Sequence, residues 1–367
     1  MKIINIVGAR PNFIKIAPLM KAYELFPEIN PILVHTGQHH DVNMNKNIFE
    51  ELEIPAPHYN LEVRGGSCSQ QISKIMAKFE EVCKKEKPDL VLVVGDVNST
   101  IACSLVAAHL NIRVVHIEAG LRSRDLSMPE EINRILTDQI SDILFVTEPE
   151  AIKNLEKEGI SPKKIHFVGN IMIDSLCQNI HKIKASDVLE RYNLEKKEYG
   201  IVTIHRPSNV DNLDKLSSIL QILNKLQQKI KVIFPIHPRT QKSIEKFNLE
   251  EKINSMQNLI LTSPLGYVDF MKLVKNSKVI LTDSGGIQEE ATVLNIPCIT
   301  LRGNTERPIT IEKGTNTLTG INLEKVLFVL DQILQGIYKE GKIPELWDGK
   351  TAKRIVEILK NENNFKL

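Results

Sequence analysis

Carboxylates stand where apolar runs stop. Leu90-Val91-Leu92-Val93-Val94 is followed by Gly95-Asp96, and Val114-Val115-His116-Ile117 is followed by Glu118-Ala119-Gly120. A third carboxylate, Glu130, opens the segment Met128-Pro129-Glu130-Glu131, where it also suits a helix N-terminus by charge alone. Two cations, Arg10 and Lys15, bracket a helix start after Gly8-Ala9. The helix dipole disfavours cations there, so an anionic ligand between them accounts for the pair; solvated surface charge is the alternative. Carboxylates and cations in this combination suit acid–base chemistry on a sugar that carries an anionic group.

A second stretch, Val279 to Glu290, reads V-I-L-T-D-S-G-G-I-Q-E-E. An apolar run, a Ser-Gly-Gly turn and a helical pattern together form a strand, a tight turn and a helix N-terminus. Helix N-termini carry unpartnered amides and a positive dipole end, which hold anions. Gly285 and Gly286 let a phosphate approach the backbone, and Ser284 adds a hydroxyl. Glu290 lies where it can accept hydrogen bonds from a ribose diol, and Phe270 offers an aromatic face for a base. The alternative is an ordinary strand-to-helix turn. No GxGxxG follows the first strand, so a dinucleotide cofactor is a poor fit.

The elements that must position these groups alternate. Apolar runs at Ile3–Val7, Ile32–Thr36, Leu90–Val94, Val114–Ile117, Ile143–Val146 and Ile165–Val168 predict parallel strands. Helical periodicity separates them, at Asn12–Leu25, Met44–Leu52 and Ser69–Lys85 among others. That is a doubly wound, Rossmann-like domain with its ligand edge at the carboxyl ends of the strands. The second half repeats the architecture, with strands over Gly200–Ile204, Val232–Ile236, Leu259–Thr262, Val279–Thr282 and Pro297–Leu301. The length of 367 residues suits two domains. With no low-complexity linker between them, two α/β domains facing a cleft are expected, an arrangement suited to a nucleotide sugar.

Composition narrows the function classes. A net charge of +2 suggests no nucleic-acid-binding surface. The five cysteines show no metal spacing and fit reduced, structural thiols. Gln38-His39-His40-Asp41 is read as a polar loop lining a cleft rather than a metal site. No apolar run approaches the ~20 residues of a membrane span. The N-terminus lacks a signal-peptide core, so a cytoplasmic protein is expected, with no metal and no cofactor. Positive charge for a diphosphate must then come from arginine, lysine, histidine and the helix end.

The chain resembles the non-hydrolysing UDP-N-acetylglucosamine 2-epimerases of bacteria and archaea over essentially its whole length. The resemblance is carried by Gly8-Ala9-Arg10-Pro11 with Lys15, Gln38-His39, Gly95-Asp96 and His116 to Arg122. It continues through Pro129-Glu130-Glu131 with Asn133-Arg134, Gly169-Asn170, His205-Arg206, Thr282 to Glu290 and Thr305-Glu306-Arg307-Pro308. It implies a glycosyltransferase-B-like fold whose C-terminal helix returns to the first domain. The expected domains are then 1–171 with 351–367, and 172–350. It implies interconversion of UDP-N-acetylglucosamine and UDP-N-acetylmannosamine through elimination of UDP, an enzyme-bound 2-acetamidoglucal and re-addition. Asp96, Glu118 and Glu130 look like the acid–base carboxylates, with His205 at the diphosphate near Arg10 and Lys15. Ser284, Gly285 and Gly286 would hold phosphates, Glu290 the ribose and Phe270 the uracil, with Arg307 in the same site. A homodimer is the family's expected state.

Three features depart from many bacterial members. His205 is followed by Arg206-Pro207-Ser208-Asn209, without a glutamate. Gly65-Gly66 stands where some members carry an arginine for an activating second substrate. The loop Leu121 to Pro129 is short, as in relatives that epimerise diacetamido-uronic or 6-deoxy UDP-sugars. Such a sugar, a hydrolysing 2-epimerase and a glycosyltransferase of the same fold are the alternatives.

Overall fold

The computed structural model describes residues 1–38 and 48–363. The cluster His39-His40-Asp41 and the first residues of the helix expected at Met44–Leu52 lie outside the described residues. The chain divides into two compact units, Met1–Gln178 with Glu345–Leu367, and Asn179–Pro344.

Unit 1 is built on a seven-stranded parallel sheet. Its strands are β1 (Lys2–Val7), β2 (Asn30–His35), β3 (Tyr59–Asn60), β4 (Leu90–Val94), β5 (Arg113–Ala119), β6 (Ile143–Val146) and β7 (Ile165–Phe167). The spatial order is β3-β2-β1-β4-β5-β6-β7. Sequence order reverses between β1 and β4, where Ile3 pairs with Leu90 and Asn5 with Leu92. That reversal is a topological switch point, and its carboxyl edge opens a crevice. Val91, Leu92 and Val93 are completely buried because helices cover both faces of the sheet. Each such side chain contributes about 1.5–3 kcal/mol by leaving water.

Unit 2 carries six parallel strands, β8 (Tyr199–Thr203), β9 (Lys231–Pro235), β10 (Leu259–Thr262), β11 (Val279–Thr282), β12 (Cys298–Thr300) and β13 (Asn316–Leu318). Their order is β10-β9-β8-β11-β12-β13, with the reversal between β8 and β11. Val202, Leu223, Phe234, Leu281 and Leu330 sit in its core.

Two differences from the sequence reading bear on the site. β5 does not stop at Ile117; it runs on to Ala119 with a register break between Ile117 and Ala119. The chain leaves unit 1 after Gln178 rather than at Ile171. The helix Ile171–Gln178 belongs with unit 1 because its apolar residues pack beside the helix Arg10–Tyr23.

Candidate active site

In unit 1 the candidate residues gather at the β1/β4 switch point. Its helix, Arg10–Tyr23, is pinned by Asn12, whose Oδ1 accepts the Gly8 and Ala9 amides at 3.2 and 3.0 Å. The Asn12 Nδ2 donates to the Val94 carbonyl at 2.9 Å, tying the helix start to the end of β4. One turn further, Lys15 reaches across the edge and its Nζ forms an ion pair with Glu118 Oε2. Both residues are only 6% exposed. Glu118 holds a φ of +73°, the left-handed region, inside the register break of β5. A non-glycine residue there stores roughly 1–3 kcal/mol of strain, which the surrounding structure must offset. Such strain collects at functional sites, and here it aims a carboxylate out of a strand. Gly95 closes β4 with a φ of +69°, and a Cβ on it would stand 3.3 Å from both Glu118 Oε2 and Lys15 Nζ.

Asp96 is partly exposed and ion-paired to Arg134. Arg134 lies on the helix Pro129–Ile140, and its Nη1 also contacts Glu131 at 2.7 Å. The neighbouring Asn133 donates to the Asp96 carbonyl at 3.0 Å. Glu131 is the buried carboxylate of that helix; it accepts the Ser123 amide and hydroxyl at 2.9 Å and the Arg124 amide at 2.7 Å. It therefore folds the loop after β5. Glu130 is solvent-exposed on the first helical turn. Arg10 is half-buried at the first helical position. The structure thus joins Lys15 to Glu118, sets Asp96 against Arg134 and leaves Glu130 at the surface.

In unit 2 a separate group of candidate residues gathers at the β8/β11 switch point. Asp283 ends β11 with no exposed surface. It accepts the His205 amide at 3.1 Å, the Arg206 amide at 2.9 Å and Asn209 Nδ2 at 3.0 Å. The His205 ring approaches it at 3.2 Å through Nδ1. Burial pushes the Asp283 carboxyl up, but the hydrogen bond and charge of His205, with the Arg206 amide and Asn209, more than offset it. The carboxyl is held below its usual range. His205 is itself 39% exposed at the side chain, so Asp283 orients a ring that faces outward.

Ser284 is the N-cap of the helix Gly285–Leu294, and its own side chain makes no capping bond. Beside this helix start, Arg307 pairs with Glu289 at 2.8 Å and with Glu306 at 2.9 Å. Arg302 and Arg206 contact Glu306 at 2.8 and 3.3 Å. Three guanidinium groups face two carboxylates at the positive end of a helix dipole, an arrangement that attracts an anion. A Cβ on Gly285 would lie 2.6 Å from Arg307 Nη1 and 2.9 Å from Glu306 Oε1, so a side chain there would displace the cluster. Glu290 is buried and accepts the Tyr267 hydroxyl at 3.1 Å. Phe270, three residues after Tyr267 on the helix Tyr267–Asn276, is half-buried.

The sequence reading missed Asp283, Arg206, Arg302 and Glu306 as site-builders. Arg302 and Glu306 stand four residues apart just after β12, a spacing that could have signalled their ion pair. Among the described residues no group of three or more histidine, cysteine, aspartate or glutamate side chains is arranged to hold a metal ion. Among them, too, no helix is long and apolar enough to cross a membrane.

Comparison with known proteins agrees with this architecture. Residues 21–360 match the family model described as UDP-N-acetylglucosamine 2-epimerase. The chain is 47% identical to a UDP-N-acetylglucosamine 2-epimerase homolog of Methanococcus maripaludis, over 98% of this chain and 100% of that one. It is 40% identical to the UDP-2,3-diacetamido-2,3-dideoxy-D-glucuronate 2-epimerase of Pseudomonas aeruginosa, over 98% and 99%. The crystal structure of Methanocaldococcus jannaschii UDP-GlcNAc 2-epimerase in complex with UDP-GlcNAc and UDP superposes with a TM-score of 0.93. It is 44% identical and covers 98% of this chain and 100% of that one. With a family match that runs through both sheets and relatives 47% and 40% identical over nearly the whole length, the chain belongs to the UDP-N-acetylglucosamine 2-epimerase family.

Proposed function

We propose that the chain interconverts UDP-N-acetylglucosamine and UDP-N-acetylmannosamine by eliminating and re-adding UDP. The observation that carries this reading is the buried Lys15–Glu118 ion pair, set by a strained Glu118 beside Gly95-Asp96. No carbonyl activates the C2 hydrogen of the sugar, so simple deprotonation is out of reach. In the elimination, the C1–O bond breaks and its electron pair departs with UDP. The C2 proton passes to a carboxylate, and the C2–H electrons form a C1=C2 double bond. Reprotonation of C2 on the opposite face and return of UDP give the epimer. The route needs proton-transferring groups near C2 and cations at the diphosphate.

Asp96, Glu118 and Glu130 are the proposed proton-transferring groups. Lys15, Arg10, His205 and Arg307 are proposed to neutralise the diphosphate as its charge grows, with the amides after Ser284 at Gly285 and Gly286. Glu290 would take the ribose and Phe270 the uracil. A cytoplasmic setting and a homodimeric state belong to the same proposal, and light scattering tests the second of these.

A second reading, the same chemistry on a diacetamido-uronic sugar, is favoured by the 40% identity to the Pseudomonas aeruginosa enzyme. Proton NMR in D₂O, with each UDP-sugar offered separately and no added metal, decides. UDP-N-acetylmannosamine with deuterium at C2 is the expected product. Free N-acetylmannosamine plus UDP would make the chain a hydrolase. Turnover of the diacetamido-uronic sugar alone would select the second reading, and reaction only with an added acceptor would indicate a glycosyltransferase.

A further inference from the structure

We propose that His116 is a positioning residue that locks the Gly95-Asp96 peptide and the Glu118–Gly120 segment into one geometry for proton transfer. The proposal rests on the epimerase reading and adds to it a side chain that lies beneath the site rather than in it. His116 lies in β5 with no exposed surface, two residues before Glu118. Its Nε2 approaches the Gly95 carbonyl at 2.8 Å, and a carbonyl can only accept, so Nε2 donates. Its Nδ1 meets Asp138 Oδ1 at 2.6 Å. The other oxygen of Asp138 accepts the Gly120 amide at 3.0 Å and pairs with Arg122 at 2.7 Å. Arg122 in turn forks onto Glu158 with bonds of 2.8 and 2.6 Å.

This buried chain of contacts touches both carboxylate-bearing segments. Gly95 is tied to β5 twice, through its carbonyl to His116 and through its amide to the Ile117 carbonyl at 3.0 Å. Displacement of Gly95 moves Asp96 directly, and it disturbs the Lys15–Glu118 pair because the Gly95 Cα faces that pair. Asp138 meanwhile fixes the amide two residues beyond Glu118. The helix Pro129–Ile140 drives both contacts from one face. Arg134 and Asp138 are four residues apart, the first holding the Asp96 side chain and the second holding His116. Mutual placement of the two carboxylates is therefore set by His116 and Asp138. Errors of about 1 Å in such placement can cost on the order of 100-fold in rate.

The test compares H116F, which keeps a ring and removes both hydrogen bonds, with H116Q, which keeps a donor for the Gly95 carbonyl. Steady-state kinetics, UDP calorimetry and melting are read for both. We expect H116F to lose kcat by on the order of 100-fold with KM and UDP affinity within about threefold, and H116Q to recover about tenfold of that loss. Wild-type kcat in H116F overturns the proposal. So does equal impairment of both variants, or UDP affinity falling in step with kcat, because a general structural role would do that. In wild-type protein, long-range ¹⁵N–¹H spectra must show hydrogen on Nε2 of His116; a bare Nε2 overturns the proposal even if neither variant folds. Absence of C2 exchange in wild type would defeat the epimerase reading instead, which the nitrogen spectrum reads separately.

Discussion

Asp96 lies just beyond the end of β4 and Glu118 is the next-to-last residue of the neighbouring β5, and their surroundings differ as well. Glu118 is buried against Lys15, whereas Asp96 is partly exposed against Arg134. The Asp96→Asn change keeps the shape and removes a proton-transferring group. It is expected to abolish deuterium incorporation at C2 while leaving UDP affinity within about twofold. Turnover at the wild-type rate, followed by NMR, would remove Asp96 from the chemistry. Gly95→Ala probes the same corner from the backbone. A left-handed φ costs an alanine roughly 1–2 kcal/mol, and the new methyl would press on the Lys15–Glu118 pair. Lower thermal stability with loss of C2 exchange is the expected outcome, and a fully active, equally stable variant would refute the contact. Residue types and strand-end positions made Asp96, Glu118 and Lys15 legible in the sequence. The left-handed turn at Glu118 was not legible, because glutamate carries no local signal for a positive φ.

In each unit the candidate residues are organised by a strand, a tight turn and a helix at a switch point. In unit 2 that element is β11 with the helix Gly285–Leu294, which bears Glu289 and Glu290 one turn in. Glu290 is already hydrogen-bonded to the Tyr267 hydroxyl, so one of its oxygens is oriented before any ligand arrives. Glu290→Ala is expected to weaken UDP binding by about 1–3 kcal/mol, with Tyr267→Phe having a smaller effect. Calorimetry showing unchanged UDP affinity in Glu290→Ala would argue against a ribose contact. Central strands were readable because burial on both faces writes continuous apolar runs. The edge strands β3 and β13 were not, since Tyr59-Asn60 and Asn316-Thr317-Leu318 are short and mostly polar. Of the arginine cluster at the helix start, Arg307 was legible as a site residue through the family resemblance, whereas Arg206 and Arg302 were not, for another reason. Arg206 follows β8, whereas Arg302, Glu306 and Arg307 follow β12; the meeting of these two loops is a tertiary fact, and only the pairs of Glu306 with Arg302 and Arg307 are local.

At the scale of the whole chain, unit 1 is completed by residues far from it in sequence. The segment from Glu345 returns to it, with Trp347 almost fully buried and its indole Nε1 donating to the Thr147 carbonyl at 2.9 Å. The helix Thr351–Asn363 follows, burying Ile355, Val356 and Leu359. Asp174 anchors the start of that helix by accepting the Thr351 and Ala352 amides at 3.1 and 2.7 Å. Burial raises the Asp174 carboxyl to about 6, against the opposing pull of those amides. A carboxyl raised on folding binds its proton more tightly in the folded chain. Its contribution is fully present below the ordinary aspartate value near 4, and it is lost as pH rises through about 6. Asp174→Asn stays neutral throughout, so wild type should lose on the order of 3 kcal/mol relative to the variant between pH 4 and 7. The chain holds one tryptophan, and it lies in the returning segment. Urea unfolding followed by its fluorescence therefore reports on unit 1 without interference from unit 2. Converging stability curves at low pH that separate in favour of Asp174→Asn above pH 5 are the expected outcome. Parallel curves across that range would mean that the buried carboxylate is stabilised by contacts strong enough to cancel its desolvation, and that the returning helix is held without a pH-sensitive anchor.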